Sequence, residues 1–548
     1  MDIFDSCLWG SDHVPDTRRT RHTGQVHCVY QEPPALFVPV AFLLPKGRKL
    51  KYYLTFVSPG DRMMSAKYHN LLTIKNEATV KFINREQELN DLTDLWQRQG
   101  AQLVIVYGRR RTGKTTLLAR FVQDKPHLFW VADRFPAPTL LGDFSRAIYR
   151  LEHPDMTPSS DFTYPDWEMA FRALGLLAQE RRIAAVLDEF PYAVEAEPAL
   201  PSLLQRLWDH ELKQTQLFLV LCGSHIGMME RELMTYRAPL YGRRSGQLLV
   251  RPMDFAALQQ FFPHWNSVQQ VTAYATLGGI PSYWEQFEPS HTIEANIRER
   301  ILSPNNFLYL EPQFLVYQEL REPRNYLGIL RAIAQGCRQM RDIAAASGVP
   351  RANLPRYLET LRDLHLVERL MPVTERHPDR SRRGLYHLAD NYLNFYFRFV
   401  APYREDLEQG YLDRAWQAID HQLNAFVGST AFEGLCRQWV NRRGQQGHLP
   451  FVPEKVGSYW DRHTQVDVVG LNWSQQTALL GEARWTSRPV GVQVLDELRS
   501  KSSAVLPAPD WHTHYALFSR SGFTEQLITQ ADSEGVWLVG LTDIVKAE

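Results

Sequence analysis

The sequence predicts an α/β protein with a parallel sheet covered by helices on both faces, followed by a helical unit and a second region of mixed α and β structure. The main observation is a glycine-rich loop that joins a short apolar run to a helical stretch near residue 110. Further apolar runs, "HLFWVAD", "RIAAVLDEF" and "QLFLVLCGS", alternate with stretches of helical period, which is typical of parallel strands joined by helices. After about Pro281 the pattern becomes helical, and short strands return near the carboxyl end.

The overall charge excludes a protein that is drawn to polyanions by its net field. The 548 residues include 61 Lys and Arg and 61 Asp and Glu, so binding to nucleic acid or anionic lipid requires a local patch. The five cysteines form no CxxC pair, which argues against a zinc site or a disulfide framework and favours a reducing compartment. No apolar run approaches the roughly 18 residues that span a bilayer. We expect a cytoplasmic protein that does not enter a membrane.

Residues 1–79 show no sustained periodicity, and no domain is assigned to them. Asp2 and Asp5 stand where a secretory signal would carry basic and apolar residues. Two interpretations remain open. In one, translation starts later, near Met64 or at Val80, and in the other the segment forms a small accessory β domain.

Regular structure begins with the stretch "FINREQELNDLTDLWQRQG". Asn84 is a candidate helix cap with Gln87 at the reciprocal position, and leucines recur at helical spacing until Gly100 ends the helix. The run "AQLVIVYG" follows and is too short for a helix, so it predicts a buried strand.

The loop after this strand has the spacing of a phosphate cradle. Its glycines allow the backbone N–H groups to surround an anion, Lys114 reaches the β and γ phosphates, and the Thr115 hydroxyl is offered to Mg²⁺ at a helix N-terminus. The predicted cofactors are therefore ATP and Mg²⁺. The predicted cofactor-binding residues of the loop are Gly108, Arg109, Arg110, Arg111, Thr112, Gly113, Lys114, Thr115 and Thr116.

Two further strands end in residues that suit phosphoryl transfer. Asp188 and Glu189 close the strand "AAVLDEF", and we expect the first to hold the metal with Thr115 and the second to polarise the attacking water. Ser224 follows another strand, where a polar side chain is expected to sense the γ phosphate. Together with Lys114, these residues predict a catalytic site for ATP hydrolysis.

Arginines supply further positive charge around the predicted site. The transition state of phosphoryl transfer needs cations beyond Lys114, and Arg243 and Arg244 of "PLYGRRSGQ" are candidate arginine fingers. The run Arg109–Arg111 serves the nucleotide in one interpretation and binds a partner protomer or DNA in another. A solvated surface is the ordinary role of arginines in a loop.

Six motifs in order resemble the archaeal-type ATPase family, a branch of the P-loop ATPases related to the AAA+ and STAND groups. The resemblance implies that Asn84 and Arg85 lie near the adenine, that Asp188 and Glu189 form the Walker B pair, and that the "GGIP" stretch belongs to a lid that reports the nucleotide state. His225 stands where many members have a small hydroxyl residue. The motifs span about residues 80–300 and are "FINREQEL", "YGRRRTGKTTLL", "VLDEFPY", "LCGSHIGMM", "PLYGRRSGQ" and "LGGIPSYW".

The stretch from about 319 to 390 predicts a winged helix. The segment "MRDIAAASGVPRANLPRYLETLRDLHLVERL" reads as two helices around a turn at Gly348, with leucines on one face and arginines on or near the other. An arginine-rich loop follows between two short strands, and loops of this kind contact DNA phosphates. We expect double-stranded DNA as a partner; the alternative is a winged helix that makes only protein contacts.

The last region carries acids in the order of a two-acid metal site. Glu433 lies in a helical stretch, Asp467 in one predicted strand, and Glu482 with Arg484 in the next. Carboxylates in this order can hold Mg²⁺ for phosphodiester cleavage, so Asp467 and Glu482 are candidate metal ligands. The region resembles the restriction-endonuclease-like domain of unknown function that accompanies these ATPases. Arg484 stands in place of lysine and cannot act as a base, so the alternative is a nuclease fold kept only for binding.

Four domains are predicted: an unassigned extension (1–79), a P-loop ATPase domain with a helical lid (80–300), a winged-helix region (301–400) and a mixed α/β endonuclease-like domain (401–548). The first predicted function is a Mg²⁺-dependent ATPase that couples nucleotide state to a DNA-binding C-terminal half, with DNA cleavage as a further activity of that half. The alternative is a slow ATP-dependent switch that signals through protein contacts and carries an inactive nuclease-like domain. A nucleotide-dependent homo-oligomer is a further expectation.

Overall fold

The computed structural model describes residues 82–320 and 322–546. The expectations for residues 1–79, a later start of translation or an accessory β domain, lie outside the described residues.

The first helix, α1 (Glu86–Gln97), begins two residues after the predicted cap. Its N-cap residue is Arg85, in a left-handed conformation and without a side-chain cap. The Asn84 side-chain oxygen accepts a hydrogen bond from the Arg85 backbone N–H instead. The prediction of a capping box is wrong because Asn84 and Arg85 both adopt positive φ angles, which turns the chain before the helix begins.

Five parallel strands form the first sheet, in the order β2-β3-β4-β1-β5. Three of them, β1, β3 and β4, are buried along their whole length, which explains their continuous apolar sequences. The carboxyl ends of parallel strands meet at one edge of the sheet, so the residues that follow β1, β3 and β4 lie at the same edge. The bounds are β1 (Gln102–Tyr107), β2 (His127–Val131), β3 (Ile183–Asp188), β4 (Leu217–Gly223) and β5 (Gly246–Leu249).

Helices cover both faces of this sheet. Leu103 and Ile105 of β1 enter one apolar cluster, whereas Val104 and Val106 enter another, so each face has its own core. No helix in residues 82–320 or 322–546 is both long enough and apolar enough to cross a membrane. The helices from the sheet to the lid are α2 (Lys114–Val122), α3 (Ala137–Glu152), α4 (Trp167–Glu180), α5 (Phe190–Ala196), α6 (Leu200–His210), α7 (Ile226–Met229), α8 (Phe255–Phe261), α9 (Ser267–Leu277), α10 (Pro281–Trp284) and α11 (Ile293–Asn296).

A helical unit and a two-stranded hairpin follow the lid. Gly348 adopts a left-handed angle at the end of one helix, and the leucines of the predicted apolar face are buried. The arrangement is that of a winged helix, with β6 and β7 as an antiparallel hairpin. The elements are α12 (Phe307–Glu319), α13 (Pro323–Ala334), α14 (Met340–Ser347), α15 (Leu354–Asp363), β6 (Val367–Leu370) and β7 (Leu385–Leu388).

The last part of the chain contains a second five-stranded sheet, in the order β12-β11-β10-β9-β8. The pairs β8 with β9 and β9 with β10 are antiparallel, and the other two pairs are parallel. The strands are β8 (Lys455–Trp460), β9 (Gln465–Asn472), β10 (Thr477–Arg484), β11 (His512–Ser519) and β12 (Trp537–Gly540). The helices are α16 (Asn391–Phe395), α17 (Arg404–Glu408), α18 (Leu412–Val427), α19 (Glu433–Gln445), α20 (Val492–Ser500), α21 (Ser502–Val505), α22 (Glu525–Glu534) and α23 (Leu541–Val545).

One apolar cluster runs from the lid through the winged helix into the C-terminal part. It includes Trp284 of α10, Leu330 of α13, Phe395 of α16 and Phe518 of β11. Close-packed side chains transmit displacement to their neighbours. A shift of the lid is therefore expected to reach both the winged helix and the second sheet.

Candidate nucleotide site and carboxylate pocket

The phosphate loop connects β1 to α2 at the carboxyl edge of the first sheet. Gly108 has a φ of 152°, and a Cβ on it would lie 2.3 Å from the Val250 carbonyl oxygen. Gly113 takes a left-handed φ of 89° as the N-cap of α2. Glycine satisfies both requirements without strain, so the loop keeps the curvature that directs successive N–H groups towards an anion.

The Lys114 amine is folded into this loop. Its Nζ donates to the carbonyl oxygens of Gly108 and Arg109, both at 2.9 Å, and the residue is buried. The Thr112 hydroxyl donates to the same Arg109 oxygen at 2.8 Å and closes the turn. Both acceptors are neutral, so a phosphate offers the ammonium a stronger, charge-assisted hydrogen bond. Thr116 is exposed in the first turn of α2.

The structure brings together the predicted residues at the ends of β3 and β4. The Thr115 hydroxyl donates to Asp188 Oδ2 at 2.6 Å, and Asp188 is buried. Glu189 has a φ of 50°, which is strained for a residue with a side chain. The Ser224 hydroxyl donates to both Glu189 carboxylate oxygens, at 3.0 and 2.8 Å. These contacts fix the orientation of the Glu189 carboxylate.

The side chains at this site have the chemical groups that bind ATP and Mg²⁺. Thr115 and Asp188 offer hydroxyl and carboxylate oxygens, the donors that Mg²⁺ prefers. Arg109 Nε and Nη2 are buried and have no hydrogen-bond partner within the part of the chain that the structure describes, so they are available to an anion. When bound, Mg²⁺ supplies neutralisation of the charge that develops on the phosphate oxygens.

The first loop arginine forms a buried ion pair with the helical unit. Arg109 pairs with Asp390, and their side chains are 6% and 4% exposed. Asp390 also caps α16, because its carboxylate accepts the Leu393 backbone N–H at 2.7 Å. Burial alone would lower the pKa of Arg109, but the charge of Asp390 raises it above its ordinary value. The pair anchors the phosphate loop to the start of α16.

The other two loop arginines contact α12. Arg111 pairs with Glu311, and its guanidinium lies 4.3 Å from the centroid of the Phe307 ring. Arg110 Nε lies 3.9 Å from a carboxylate oxygen of Glu319. Each arginine of the run therefore has an acidic neighbour on the helical unit, so the run is not an ordinary solvated surface.

Glu319 brings a carboxylate close to the cations of the phosphate site. Its side chain is 6% exposed, and Oε2 lies 3.3 Å from His225 Nε2. Burial raises the pKa of Glu319, and the charges of His225, Arg110 and Lys114 act in the opposite direction. An anionic group of the chain itself therefore already shares the positive charge that the loop offers to phosphate.

Asn84 and Arg85 lie beside the loop. Arg85 Nη2 donates to the carbonyl oxygens of Thr112 and Arg251, at 3.0 and 2.6 Å. The Asn84 amide donates to Asp254 at 3.3 Å. Arg85 thus supports the backbone of the phosphate loop, and the role of both residues near the adenine stays a prediction.

Arg243 and Arg244 lie apart from the phosphate loop. They precede β5, whose first residue pairs with the middle of β1, whereas the loop follows the carboxyl end of β1. Arg243 forms a bidentate pair with Asp209, and Arg244 donates to the Met234 carbonyl oxygen at 3.1 Å. Both arginines are thus engaged by other groups of the same chain, and their role as arginine fingers stays a prediction.

The acids predicted in the last region line a cavity of about 360 Å³. Burial, followed by the charge of Asp467, raises the pKa of Glu433 to about 8, and burial also raises the pKa of Glu482. No group of three His, Cys, Asp or Glu side chains in the two described stretches is placed to hold a metal ion. The pair of Asp467 and Glu482 alone suits Mg²⁺, which takes one or two carboxylates and keeps several waters.

Two cations face this pair of carboxylates. Arg484 Nη1 lies 2.7 Å from Glu482 Oε1 and 3.8 Å from Asp467 Oδ2. Lys501 follows α20 directly, and its Nζ lies 3.4 Å from both carboxylate oxygens of Glu482. Position 484 carries an arginine instead of a lysine. Lys501, which comes from a different element, places an amine beside Glu482.

Family profiles match three successive parts of the chain. An ATPase domain predominantly from Archaea matches residues 82–287. An IclR helix-turn-helix domain matches residues 324–370, and a family described as archaeal and bacterial proteins of unknown function matches residues 396–497.

A relative shares this arrangement over most of its length. An uncharacterized protein of Methanocaldococcus jannaschii is 30% identical over 440 residues, which cover 80% of this chain and 95% of that protein. The chain belongs to the archaeal-type P-loop ATPase family. An uncharacterized ATP-binding protein of the same archaeon is 48% identical to this ATPase over 46 residues, which are 8% of this chain and 78% of that protein. A Walker-type ATPase of Pyrococcus abyssi is 21% identical, with a TM-score of 0.46 over 60% of this chain and 99% of that one.

The predicted fold class of this ATPase is confirmed. A parallel five-stranded sheet with helices carries the P-loop, a winged helix follows, and a separate mixed sheet forms the C-terminal part. As a member of the family, the chain carries a nucleotide-using ATPase domain.

Four residues of interest in this ATPase were not found from the sequence. Glu311 and Glu319 stand in the apolar stretch "FLYLEPQFLVYQE", and an acid in such a stretch is a signal for a buried cation partner. Asp390 and Lys501 carry no comparable signal, because only the tertiary structure brings them to Arg109 and Glu482.

Proposed function

We propose that this protein is a Mg²⁺-dependent ATPase whose nucleotide state controls a DNA-binding C-terminal half. The observation that carries the proposal is the position of Glu319, at the end of α12, beside Arg110 and His225. Arg110, and His225 when protonated, can serve either the nucleotide phosphates or the helical unit. Nucleotide binding and the position of α12 are therefore linked.

Electrostatic repulsion disfavours the presence of ATP and of the Glu319 carboxylate beside the same cations at one time. ATP brings negative charge towards Lys114 and Arg110, next to a Glu319 carboxylate that is almost excluded from water. Two like charges about 4 Å apart repel by roughly 4 kcal/mol at the effective dielectric constant typical of a protein surface. ATP is therefore expected to displace Glu319 and α12 with it, and loss of the nucleotide allows α12 to return.

The three arginine contacts differ in how readily they exchange. Breaking a buried ion pair by removing one partner costs about 3–5 kcal/mol, so the Arg109–Asp390 pair is expected to persist as an anchor. The Arg111 side chain is 31% exposed, so water can reach its guanidinium, whereas Glu311 is only 3% exposed and must become hydrated as it moves with α12. We expect α12 to leave while the start of α16 stays attached to the loop.

Hydrolysis is proposed to depend on Glu189. Its carboxylate accepts a proton from, or polarises, the attacking water, and Ser224 holds it in orientation. The Lys114 ammonium stabilises the charge that moves onto the phosphate oxygens.

The winged helix is proposed as the DNA-binding surface. Arg351 and Arg356, at the start of α15, are exposed, as are Arg376, Arg380 and Arg382 in the loop between β6 and β7. The match to a helix-turn-helix family supports this assignment. Such exposed arginines contact DNA phosphates without a penalty for leaving a buried partner.

The winged helix also touches both neighbours through which a signal would pass. Leu364, after the end of α15, lines a small cavity with Ser224 and Glu319. On the other side, the Val373 N–H donates to the Ser458 carbonyl oxygen of β8 at 2.9 Å. Displacement of α12 would therefore alter the packing of the winged helix against the nucleotide site and its contact with the second sheet.

Steady-state ATP hydrolysis with and without double-stranded DNA tests the proposal. We expect DNA to stimulate hydrolysis, Glu189→Gln to abolish the hydrolysis at every DNA concentration, and Glu195→Gln, a matched change on the exposed side of α5, to leave the stimulation intact. Hydrolysis that is indifferent to DNA would instead support the slow switch that acts through protein contacts.

Phosphodiester cleavage is a second candidate activity, and the position of Lys501 favours it. We infer that Lys501 provides the cation that stabilises negative charge on the attacked phosphate, a role that Arg484 shares but cannot extend to proton transfer. Asp467 and Glu482 would hold Mg²⁺, whose contribution is an activated water.

Nicking of covalently closed DNA in the presence of Mg²⁺ tests this second activity. Asp467→Asn and Lys501→Met are each expected to abolish nicking, and the exposed Lys546→Met serves as the control. A wild-type protein that does not nick DNA, or nicking that survives Asp467→Asn, would contradict it.

A further inference from the structure

A second cavity lies between the winged helix and the C-terminal sheet. It has a volume of about 560 Å³ and is lined by residues of α13, β7, α16, α19 and the end of β8. Its charged lining includes Arg338, Arg398 and Arg437. The region was not singled out by the sequence, because its arginines are scattered over 100 residues.

Two of these arginines have no carboxylate partner. Arg437 lies 3.6 Å from Glu433, but neither Arg338 nor Arg398 is within ion-pair distance of a carboxylate among residues 82–320 and 322–546. Burial lowers the pKa of Arg338, and burial followed by the charge of Arg338 lowers that of Arg398. Arg338 is solvent-exposed and feels the charge of Glu433, whereas Arg398 is partly buried and donates to Gln422 at 3.2 Å, so both guanidinium groups can still bind an anion.

The opposite charges in the cavity do not remove this preference. Glu368 and Glu433 also line it, so three arginines face two carboxylates, and Glu433 already contacts Arg437. His387, between them, has its pKa lowered to about 4, first by burial and then by Arg338 and Arg437, and is neutral at pH 7. The excess positive charge lies on Arg338 and Arg398.

The size and lining of the cavity fit one nucleic-acid strand. A cube of 560 Å³ is about 8 Å on edge, and a B-DNA duplex is wider than its roughly 12 Å major groove alone, so a duplex does not enter. Asn391 and Asn394 also line the cavity; each amide donates one hydrogen bond within the protein, and the partly exposed Trp460 offers an aromatic face. A positive groove with an aromatic platform is the usual site for single-stranded nucleic acid.

The cavity adjoins the carboxylate pocket. Ser429, Glu433 and Gln465 line both. A strand held by Arg338 and Arg398 therefore leads towards Asp467 and Glu482.

We propose that this cleft binds the sugar-phosphate backbone of a single nucleic-acid strand and guides it to the carboxylate pocket. The inference rests on the proposed function only in assigning nucleic acid to the C-terminal half. It adds a second nucleic-acid site, distinct from the exposed arginines of the winged helix.

Fluorescence anisotropy with a 5′-labelled oligothymidylate tests the proposal on the full chain. Arg338→Gln with Arg398→Gln is expected to weaken binding at least about tenfold, since two cations that form charge-assisted hydrogen bonds with phosphate are lost. The slope of log K against log salt should become shallower by roughly 0.7 for each phosphate that the variant no longer neutralises. Arg331→Gln, an exposed arginine on α13, is the matched control and should bind as the wild type does.

Three outcomes distinguish nucleic-acid binding in the cleft from nucleic-acid binding by the winged helix. Unchanged affinity in the double variant, with loss of binding in Arg380→Gln and Arg382→Gln, would overturn the cleft and leave the proposed DNA-linked ATPase intact. A wild type that binds no single strand, while double-stranded DNA still stimulates hydrolysis, would also overturn it. Loss of stimulation by duplex with retained single-strand binding would instead contradict the proposed function.

Photo-crosslinking of the wild type covers the case in which the double variant fails to fold. An oligonucleotide that carries 5-bromodeoxyuridine should crosslink to the peptide that contains Trp460. Crosslinks confined to the loop between β6 and β7 would overturn the cleft.

Discussion

At the scale of single residues, the Lys114 and Arg109 side chains keep hydrogen-bonding capacity that a phosphate can use. The Lys114 amine is bonded to neutral carbonyl groups of Gly108 and Arg109, and the guanidinium of Arg109 keeps two unpartnered nitrogens within the described part of the chain. A phosphate therefore gains strong hydrogen bonds, and only weaker ones are broken in exchange.

Replacement of Lys114 should remove tight ATP binding. Lys114→Ala deletes the ammonium that meets the β and γ phosphates, so we expect affinity to fall at least about a hundredfold, as a loss of roughly 3 kcal/mol implies. Isothermal titration with ATP measures it, and the exposed Lys213→Ala is the control. Undiminished binding by Lys114→Ala would show that the loop is not the phosphate site.

Replacement of Glu319 should have the opposite effect. Glu319→Gln removes the carboxylate that competes with phosphate for Arg110 and His225, and it keeps the shape of the side chain. We expect ATP to bind about tenfold or more tightly, measured by the same titration, because the like-charge repulsion disappears. Glu299→Gln changes an exposed acid of the lid and should bind as the wild type does. Weaker binding by Glu319→Gln would mean that this carboxylate supports the nucleotide instead of opposing it.

The sequence predicts residues that act within a short motif and misses those that act across the chain. Asp188, Glu189 and Ser224 were found because each ends or directly follows a strand, and strand ends meet at one edge of a parallel sheet. The acid partners of the loop arginines lie about 200 residues or more away, so no local pattern could pair them. The single local clue was an acid in the apolar sequence of α12.

At the scale of elements, α12 couples the loop to the winged helix. Glu311 and Glu319 are eight residues apart, about two helical turns, so both can face the loop from one side of the helix. Pro312 lies inside this helix and removes one backbone hydrogen bond, which makes it easier to distort. Bending of α12 at Pro312 therefore breaks one hydrogen bond fewer than bending of an uninterrupted helix would.

The stability of the winged helix is expected to depend on pH through His387 of β7. Burial, Arg338 and Arg437 lower the pKa of His387 to about 4, whereas an unfolded chain takes up the proton near pH 6.5. Stability is therefore lost as pH falls from about 6.5 through 4, because the unfolded state binds the proton first. We expect the melting temperature of the wild type to fall further between pH 7 and pH 5 than that of His387→Gln. Parallel curves for the two proteins would show that His387 titrates normally.

The helix-turn-helix and hairpin were readable from sequence, but their docking was not. Leucine spacing predicts α14 and α15, and an arginine-rich loop predicts the hairpin. The sequence gives no sign that Arg383 of this loop donates to the Trp460 carbonyl oxygen at 2.8 Å, which withdraws it from DNA. The domain boundaries near residues 300 and 400 stay predictions, since one apolar cluster crosses both.

At the scale of the whole molecule, the helical unit contacts the nucleotide site and shares one apolar core with the lid and the second sheet. The arginines of the phosphate loop have acidic partners in the helical unit, and the core runs from the lid to the second sheet. ATP that displaces α12 would therefore disturb a continuous body. The proposed coupling needs no flexible tether between the nucleotide and the nucleic acid.

Hydrogen exchange of Glu189→Gln with and without Mg²⁺ and ATP tests this coupling most directly, because hydrolysis is blocked and the bound state persists. We predict slower exchange in the phosphate loop, residues 108–116, together with faster exchange in α12. Slower or unchanged exchange in α12 while the loop becomes protected would contradict displacement of Glu319 by the nucleotide.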